Sequence, residues 1–218
     1  MKEDIEEFVK KLDFTDGKYN IQDVFKDIVS LEVCFINATM LFNRDYAKKF
    51  DIIMKKYTVT EQNEIYKILI DLAELYRKQE GLNDVMLEIL IELGLEDTSK
   101  FSNLDKHITL NDNETKKKIK DKGYVGLTEP NSGTGRMILA FARKIQQLGY
   151  NKSRNLCVLA CEKDLFYTYM IYLQLSMYDI PAIIVSQKRN FTLFTPSYYV
   201  FRKIRKTKQK ESEKSEIL

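Results

Sequence analysis

The chain has 218 residues, 44% hydrophobic and 11% aromatic, with a formal net charge of +3. That length suits one ordinary domain, or a core domain with a helical extension, and the apolar share can fill a sizeable core. No apolar run approaches the roughly 18 residues of a membrane span, the amino terminus has no secretory pattern, and so small a charge does not by itself demand a nucleic-acid partner; a cytoplasmic protein with no membrane partner is the expectation.

The first 95 residues read as mostly helical. A short helical segment and a turn at Asp16-Gly17 open the chain. Residues 21–49 follow as one helix or two, because Val24, Ile28, Leu31, Cys34, Phe35, Ala38, Leu41 and Phe42 recur at helical spacing. Thr60-Glu61 is the expected start of the next helix, with Glu64 completing a capping-box-like pattern. Gly81 interrupts, and Asn83–Leu93 gives a third helical pattern with Gly94 as its C-terminal stop. The aromatics Phe35, Phe42, Tyr66 and Tyr76 are expected in the core, and no carboxylate pair stands out.

Residues 96–122 form a polar, basic linker region. Asn111-Asp-Asn-Glu followed by Lys116-Lys-Lys-Ile-Lys-Asp-Lys122 reads as a capped, exposed helix or as a linker. The three cysteines, Cys34, Cys157 and Cys161, form no Cys-x-x-Cys pair, and His107 is remote from them in sequence, so buried reduced thiols are expected rather than a zinc site.

Residues 123–201 alternate strand and helix: a strand at Tyr124–Thr128, a helix from Gly135 to Leu148 stopped by Gly149, a strand at Leu156–Cys161, a helix at Asp164–Tyr178 and a strand at Ala182–Val185. Short strands separated by helices imply parallel crossover units and an α/β, Rossmann-like sheet. The uninterrupted apolar strands predict a sheet covered on both faces. Phe191–Pro196 and Tyr198–Phe201 suggest a further strand or ordered segment. Residues 202–218 read as a basic, disordered tail.

The chemistry concentrates where the first strand ends. Glu129-Pro-Asn-Ser-Gly-Thr-Gly135 passes through two glycines into an amphipathic helix. Glycines let backbone approach a ligand, and the N–H groups of a helix start face it. A Gly-x-Gly turn alone more often reflects tight packing; the preceding strand and following helix supply the context that a nucleotide-type site needs. The acid at the end of the second strand is Glu162, in Ala160-Cys-Glu-Lys-Asp164. A carboxylate there can accept two ribose hydroxyls. Asp164 is either a second acid of the pocket or the cap of the next helix; the alternative for both acids is that they only cap and solvate.

The segment Glu129–Gly135 resembles the first S-adenosylmethionine-binding motif of adenine-specific DNA methylases of the type I restriction-modification kind, which carry Asp-Pro-x-Cys-Gly-Ser/Thr-Gly. The similarity extends to Ile180-Pro-Ala-Ile-Ile-Val185 and is greatest to short methylase-like proteins of phages and mobile elements. It implies a Rossmann-like S-adenosylmethionine-dependent methyltransferase fold with an N-terminal helical region. The implied cofactor is S-adenosylmethionine. The implied cofactor-binding residues are Glu129, Pro130, Asn131, Gly133, Thr134, Gly135, Glu162, Asp164 and Gln187. The implied partners are DNA and a restriction-modification or defence-system subunit.

Several positions depart from that family. Glu129 replaces an Asp, Ser132 a Cys, and Arg136 a small residue. Ser186-Gln187-Lys188-Arg189 stands where Gly-Asp or Gly-Asn is usual, and only Phe101-Ser102 echoes a segment the family uses before the first motif. The Asn/Asp-Pro-Pro-aromatic catalytic motif is missing, since the three prolines are Pro130, Pro181 and Pro196. No catalytic residue is therefore assigned. Three readings stay open: a methylase completed by a partner, a methylase-derived interaction protein without catalysis, and a Rossmann-like domain for another nucleotide.

Overall fold

The computed structural model describes residues 1–79, 81–97 and 111–203. Six helices come first: α1 (Lys2–Lys11), α2 (Ile21–Thr39), α3 (Arg44–Met54), α4 (Val59–Arg77), α5 (Val85–Glu92) and α6 (Asp112–Lys122). The remainder alternates: β1 (Val125–Glu129), α7 (Arg136–Gln147), α8 (Lys152–Asn155), β2 (Leu156–Glu162), α9 (Leu165–Met177), β3 (Ala182–Ser186) and β4 (Phe191–Phe194). The backbone is helical again over 196–203. The four strands form one sheet in the order β1-β2-β3-β4. The first three are parallel, and β4 returns antiparallel to β3. The chain is thus α/β with a mixed open sheet. Residues 98–110 and 204–218, including Phe101-Ser102 and most of the basic tail, lie outside the described residues.

Side-chain caps set the helix starts. Asn20, Asn43, Asp84, Asn111 and Asp164 each accept a backbone N–H in the first turn of the helix they precede. The start of α4 lies earlier than expected from Thr60 and Glu64. Thr58 Oγ1 accepts from Glu61 N at 3.3 Å, and Glu61 Oε2 accepts from Thr58 N at 2.7 Å. Thr58-x-x-Glu61 therefore satisfies two orphan donors at once, and Lys18 Nζ holds the same Glu61 at 2.9 Å. Thr58→Ala is expected to lower stability by about 1 kcal/mol in urea denaturation, with no change in the denaturant slope.

One apolar core joins the helical region to the sheet. Helix α2 lies against α9: Phe25 meets Phe166 edge-on at 5.9 Å, and Asn37 Nδ2 donates to Val33 O at 2.8 Å and Tyr172 Oη at 3.0 Å. Of the four aromatics expected in the core, only Tyr76 is buried. Phe35 and Tyr66 are half exposed, and Phe42 is 86% exposed in the turn after α2, at φ +54°. Helical spacing placed them on a stripe, but the packed face of α2 is centred on Val24, Phe25, Ile28 and Leu31. Among the cysteines Cys34 is buried, and burial pushes its thiol up to about 11; Cys157 and Cys161 are half buried, and none of the three forms a disulfide.

The sheet differs from expectation on one face. Helices α7 and α9 lie on the same side of the sheet, where Gly135 at the start of α7 meets Ile171 of α9, as right-handed crossovers stepping the same way require. The rows facing them, Val125, Leu156, Val158, Ala160, Ala182, Ile184 and Leu193, are buried. The opposite rows follow the register Thr128–Leu159–Ile183–Phe194 and Cys161–Val185–Thr192. They are half buried or exposed, with Leu159 at 38%. Apolar strand composition suggested cover on both faces, yet β1 and β4 are sheet edges, and among the described residues the ring contacts on this side come from the 196–203 segment, Tyr198 and Tyr199 on Phe194 and Phe201 on Tyr124. Among the described residues no helix is long and apolar enough to cross a membrane.

Candidate cofactor crevice at the carboxyl ends of the parallel strands

The loops leaving β1, β2 and β3 meet at one edge of the sheet, where open α/β sheets bind ligands. Leaving β1, Glu129 accepts Asn131 N at 3.3 Å through its own carboxylate. The chain then crosses to β2: Ser132 N and Oγ both donate to Cys161 O at 3.1 Å. Gly135 N closes a tight turn on Ser132 O at 2.7 Å. Gly133 has φ +51° and Gly135 φ +98°, a region that favours glycine.

Glu162 is the junction of the three loops. Its Oε2 accepts from Gly133 N at 2.9 Å, and its Oε1 accepts from Lys163 N at 2.7 Å and Asp164 N at 3.1 Å. Its carbonyl oxygen accepts from Gln187 N at 2.8 Å. The acid expected at the end of β2 is thus at the glycine loop, with three backbone donors already on its carboxylate. A carboxylate has about four acceptor directions, so one remains. Asp164 takes the capping alternative: its Oδ1 accepts from Phe166 N at 2.8 Å and Tyr167 N at 3.2 Å. Gln187 is exposed, beside exposed Lys188 and Arg189, in the turn to β4.

The two glycines have different surroundings. A Cβ on Gly133 meets nothing within 4 Å, so the loop there faces open space. A Cβ on Gly135 would lie 2.0 Å from Ile171 Cδ1, so Gly135 exists to let α7 pack on α9. Pro130 and Asn131 are exposed, and Glu129 is half buried. Gly135 gives α7 no side-chain cap, and a helix start carries the positive end of the helix dipole, which favours an anionic group.

Thr134 points the other way, into a buried polar network. Its Oγ1 donates to Asp84 Oδ2 at 2.6 Å. Gln174 Nε2 donates to Asp84 Oδ1 at 3.0 Å and to Thr134 O at 2.6 Å, while Gln174 Oε1 accepts from Tyr76 Oη and Met86 N, both at 3.2 Å. Asp84 also caps α5 through Leu87 N at 3.1 Å. Burial raises the Asp84 carboxyl above its ordinary range; the Thr134, Gln174 and Leu87 donors and the Arg136 charge oppose that rise. Thr134, Asp84 and Gln174 therefore fasten the glycine loop to the N-terminal helices. Arg143 donates to Leu82 O, Tyr178 Oη donates to Asn83 O at 2.7 Å, and Tyr167 Oη donates to Glu96, all pinning the same 82–96 segment.

Asp84 and Gln174 were not singled out from the sequence. Asp84 before Val85-Met-Leu87 carries the signal of a helix cap, but nothing local reveals that its second oxygen meets Thr134. The nine residues tied to a cofactor by resemblance divide accordingly. Glu129, Pro130, Asn131, Gly133, Glu162 and Gln187 lie in or beside the loops that leave the carboxyl ends of β1, β2 and β3, whereas Thr134, Gly135 and Asp164 make the packing and capping contacts described above. Among the described residues no cluster of three metal-ligating side chains occurs. Comparisons with family models, with curated proteins and with solved structures give no match for this chain.

Proposed function

We propose that the crevice binds S-adenosylmethionine, and that the chain is a methyltransferase-like protein with DNA as its substrate class and a second polypeptide supplying the catalytic motif. The observation that carries this reading is the contact between Gly133 N and Glu162 at 2.9 Å, which sets an acid at the end of β2 directly against an open glycine turn at the end of β1. The fit is chemical. Gly133 leaves room for close approach, the free acceptor direction of Glu162 suits a ribose hydroxyl, and Glu129 offers a carboxylate to an ammonium group. The start of α7 suits the carboxylate of an amino acid, and the amide of exposed Gln187, in the turn after β3, would meet a purine edge. The cofactor would supply a methyl group activated on a sulfonium; this chain's own residues would bind and orient it.

A second reading is favoured by two observations. The sequence has no Pro-Pro, and Glu162 is already engaged by backbone donors. On that reading the chain is a methylase-derived interaction protein without catalysis, acting on a host restriction or defence system. A thermal-shift titration separates the two. Saturation to about 100 times Kd is expected to raise Tm by roughly 5–10 °C; an unmoved Tm at millimolar S-adenosylmethionine supports the second reading.

A further inference from the structure

Three basic segments that are distant in sequence meet at the amino-terminal ends of β1 and β2, the end of the sheet opposite the glycine loop. Helix α6 runs directly into Gly123 and Tyr124 at the foot of β1. Asn155, the last residue of α8, donates Nδ2 to Gly123 O at 2.9 Å and so holds α8 there. Phe201 packs edge-on against Tyr124, centroids 5.2 Å apart at 83°, and brings the 196–203 helical segment to the same place. Lys116, Lys117 and Lys120 of α6, Arg154 of α8, and Arg202 and Lys203 are all exposed. Asp121 is the sole acid in the Lys116–Lys122 run. The other acids of α6 are engaged nearer its start, Glu114 with Lys118 at 2.7 Å and Asp112 with Lys144 at 3.6 Å.

From this convergence we infer that the foot of the sheet is a nucleic-acid backbone-binding surface, contacting phosphates without reading sequence. Clustered Lys and Arg supply affinity for a polyanion through counterion release. Nucleic acid fits this face better than a lipid surface. The inward side of α6 is occupied by Thr115 and Ile119, so the helix presents charge but no apolar stripe to insert between acyl chains. The inference does not depend on the crevice reading. The foot and the glycine loop are separated by the length of β1, roughly 17 Å at about 3.3 Å per residue. A duplex lying on the foot is therefore held as a tether, away from the crevice of the same molecule.

The test is fluorescence anisotropy of the full chain with a labelled 20-bp duplex between 50 and 200 mM salt. With about four phosphates engaged, wild-type affinity is expected to fall roughly 100-fold over that range. The variant K116Q/K117Q/K120Q/R202Q is expected to bind at least about 30-fold more weakly at 50 mM, with a salt slope shallower by about 3–4. A control that removes equal charge elsewhere, K2Q/K48Q/K67Q/K78Q, is expected to stay within about threefold of wild type, because binding is local to the foot. Equal losses in the two variants would overturn the inference, as would no duplex binding at 50 mM. Tighter binding to vesicles containing phosphatidylserine than to the duplex at equal salt would also overturn it, in favour of a membrane surface. Titration with S-adenosylmethionine reads the crevice separately, so failure of either reading is recognisable on its own.

Discussion

Gly135→Ala is expected to destabilise the fold by about 2–4 kcal/mol, from a left-handed backbone strain and from overpacking against α9. Gly135 sits at φ +98°, and its added methyl would fall 2.0 Å from Ile171 Cδ1. Ile171 is fully buried, so its end has little room to swing away. Gln174 lies on the same side and already holds Thr134 O at 2.6 Å, which resists a shift of the loop. Ile171→Val alone should cost about 1 kcal/mol. Combined with Gly135→Ala it should cost clearly less than the sum, because the valine removes the atom in the way. Urea denaturation of the four proteins decides the matter. Additive losses would mean that the backbone strain alone sets the cost; a stable Gly135→Ala would remove the packing role altogether. The same geometry makes Gly135 a poor place to test ligand binding, since any loss there would report on folding.

The second large effect concerns Glu32. This carboxyl lies in α2 at 6% exposure, and no hydrogen bond or ion pair among the described residues reaches it. Burial pushes its pKa up to about 7 from an ordinary value of 4.5. The folded state therefore holds the proton more tightly than the unfolded chain. Below about pH 4.5 both states are protonated and the group costs little. As pH rises from 4.5 to 7 the unfolded state ionises first, and stability falls. Above pH 7 the full penalty of about 3 kcal/mol is present. Glu32→Gln is expected to be more stable than wild type at pH 8 by about that amount, with the difference shrinking toward pH 5. Unfolding free energies of both proteins across pH 5–8 provide the check. A difference that does not change with pH would place Glu32 in contact with water or with a cation.

Much of the α/β half was legible because its signals are local. The strand expected at Tyr124–Thr128, the glycine turn, and the stops at Gly94 and Gly149 all depend on residues within a few positions of each other, and they fall close to the observed bounds. The two-residue shift of α4 came from choosing Thr60 over Thr58, two competing caps that only the Glu61 side chain separates. The antiparallel β4 and the half-open sheet face were not legible, since strand composition alone does not reveal what covers a face. In the crevice, sequence located Glu162 but not its partners. Its three donors are backbone groups, which carry no residue signature. The Asp84–Thr134–Gln174 network links positions up to 90 apart in the chain, and the burial of Glu32 follows from the packing of α2 against α9 and its neighbouring helices.

The central claim is that the open turn at Gly133 and the Glu162 carboxylate form a working cofactor site. Isothermal titration of the full chain with S-adenosylmethionine tests it most directly, with Gly133→Asn as the companion variant. Asparagine tolerates a left-handed backbone, and at Gly133 an added Cβ meets nothing within 4 Å, so the fold should persist while the rest of the side chain intrudes on the space beside the loop. Micromolar binding in the wild type, weakened at least about tenfold in Gly133→Asn at unchanged Tm, or about 1.4 kcal/mol, is the result this account requires. No heat from the wild type at millimolar cofactor, or equal binding by both proteins, would contradict it.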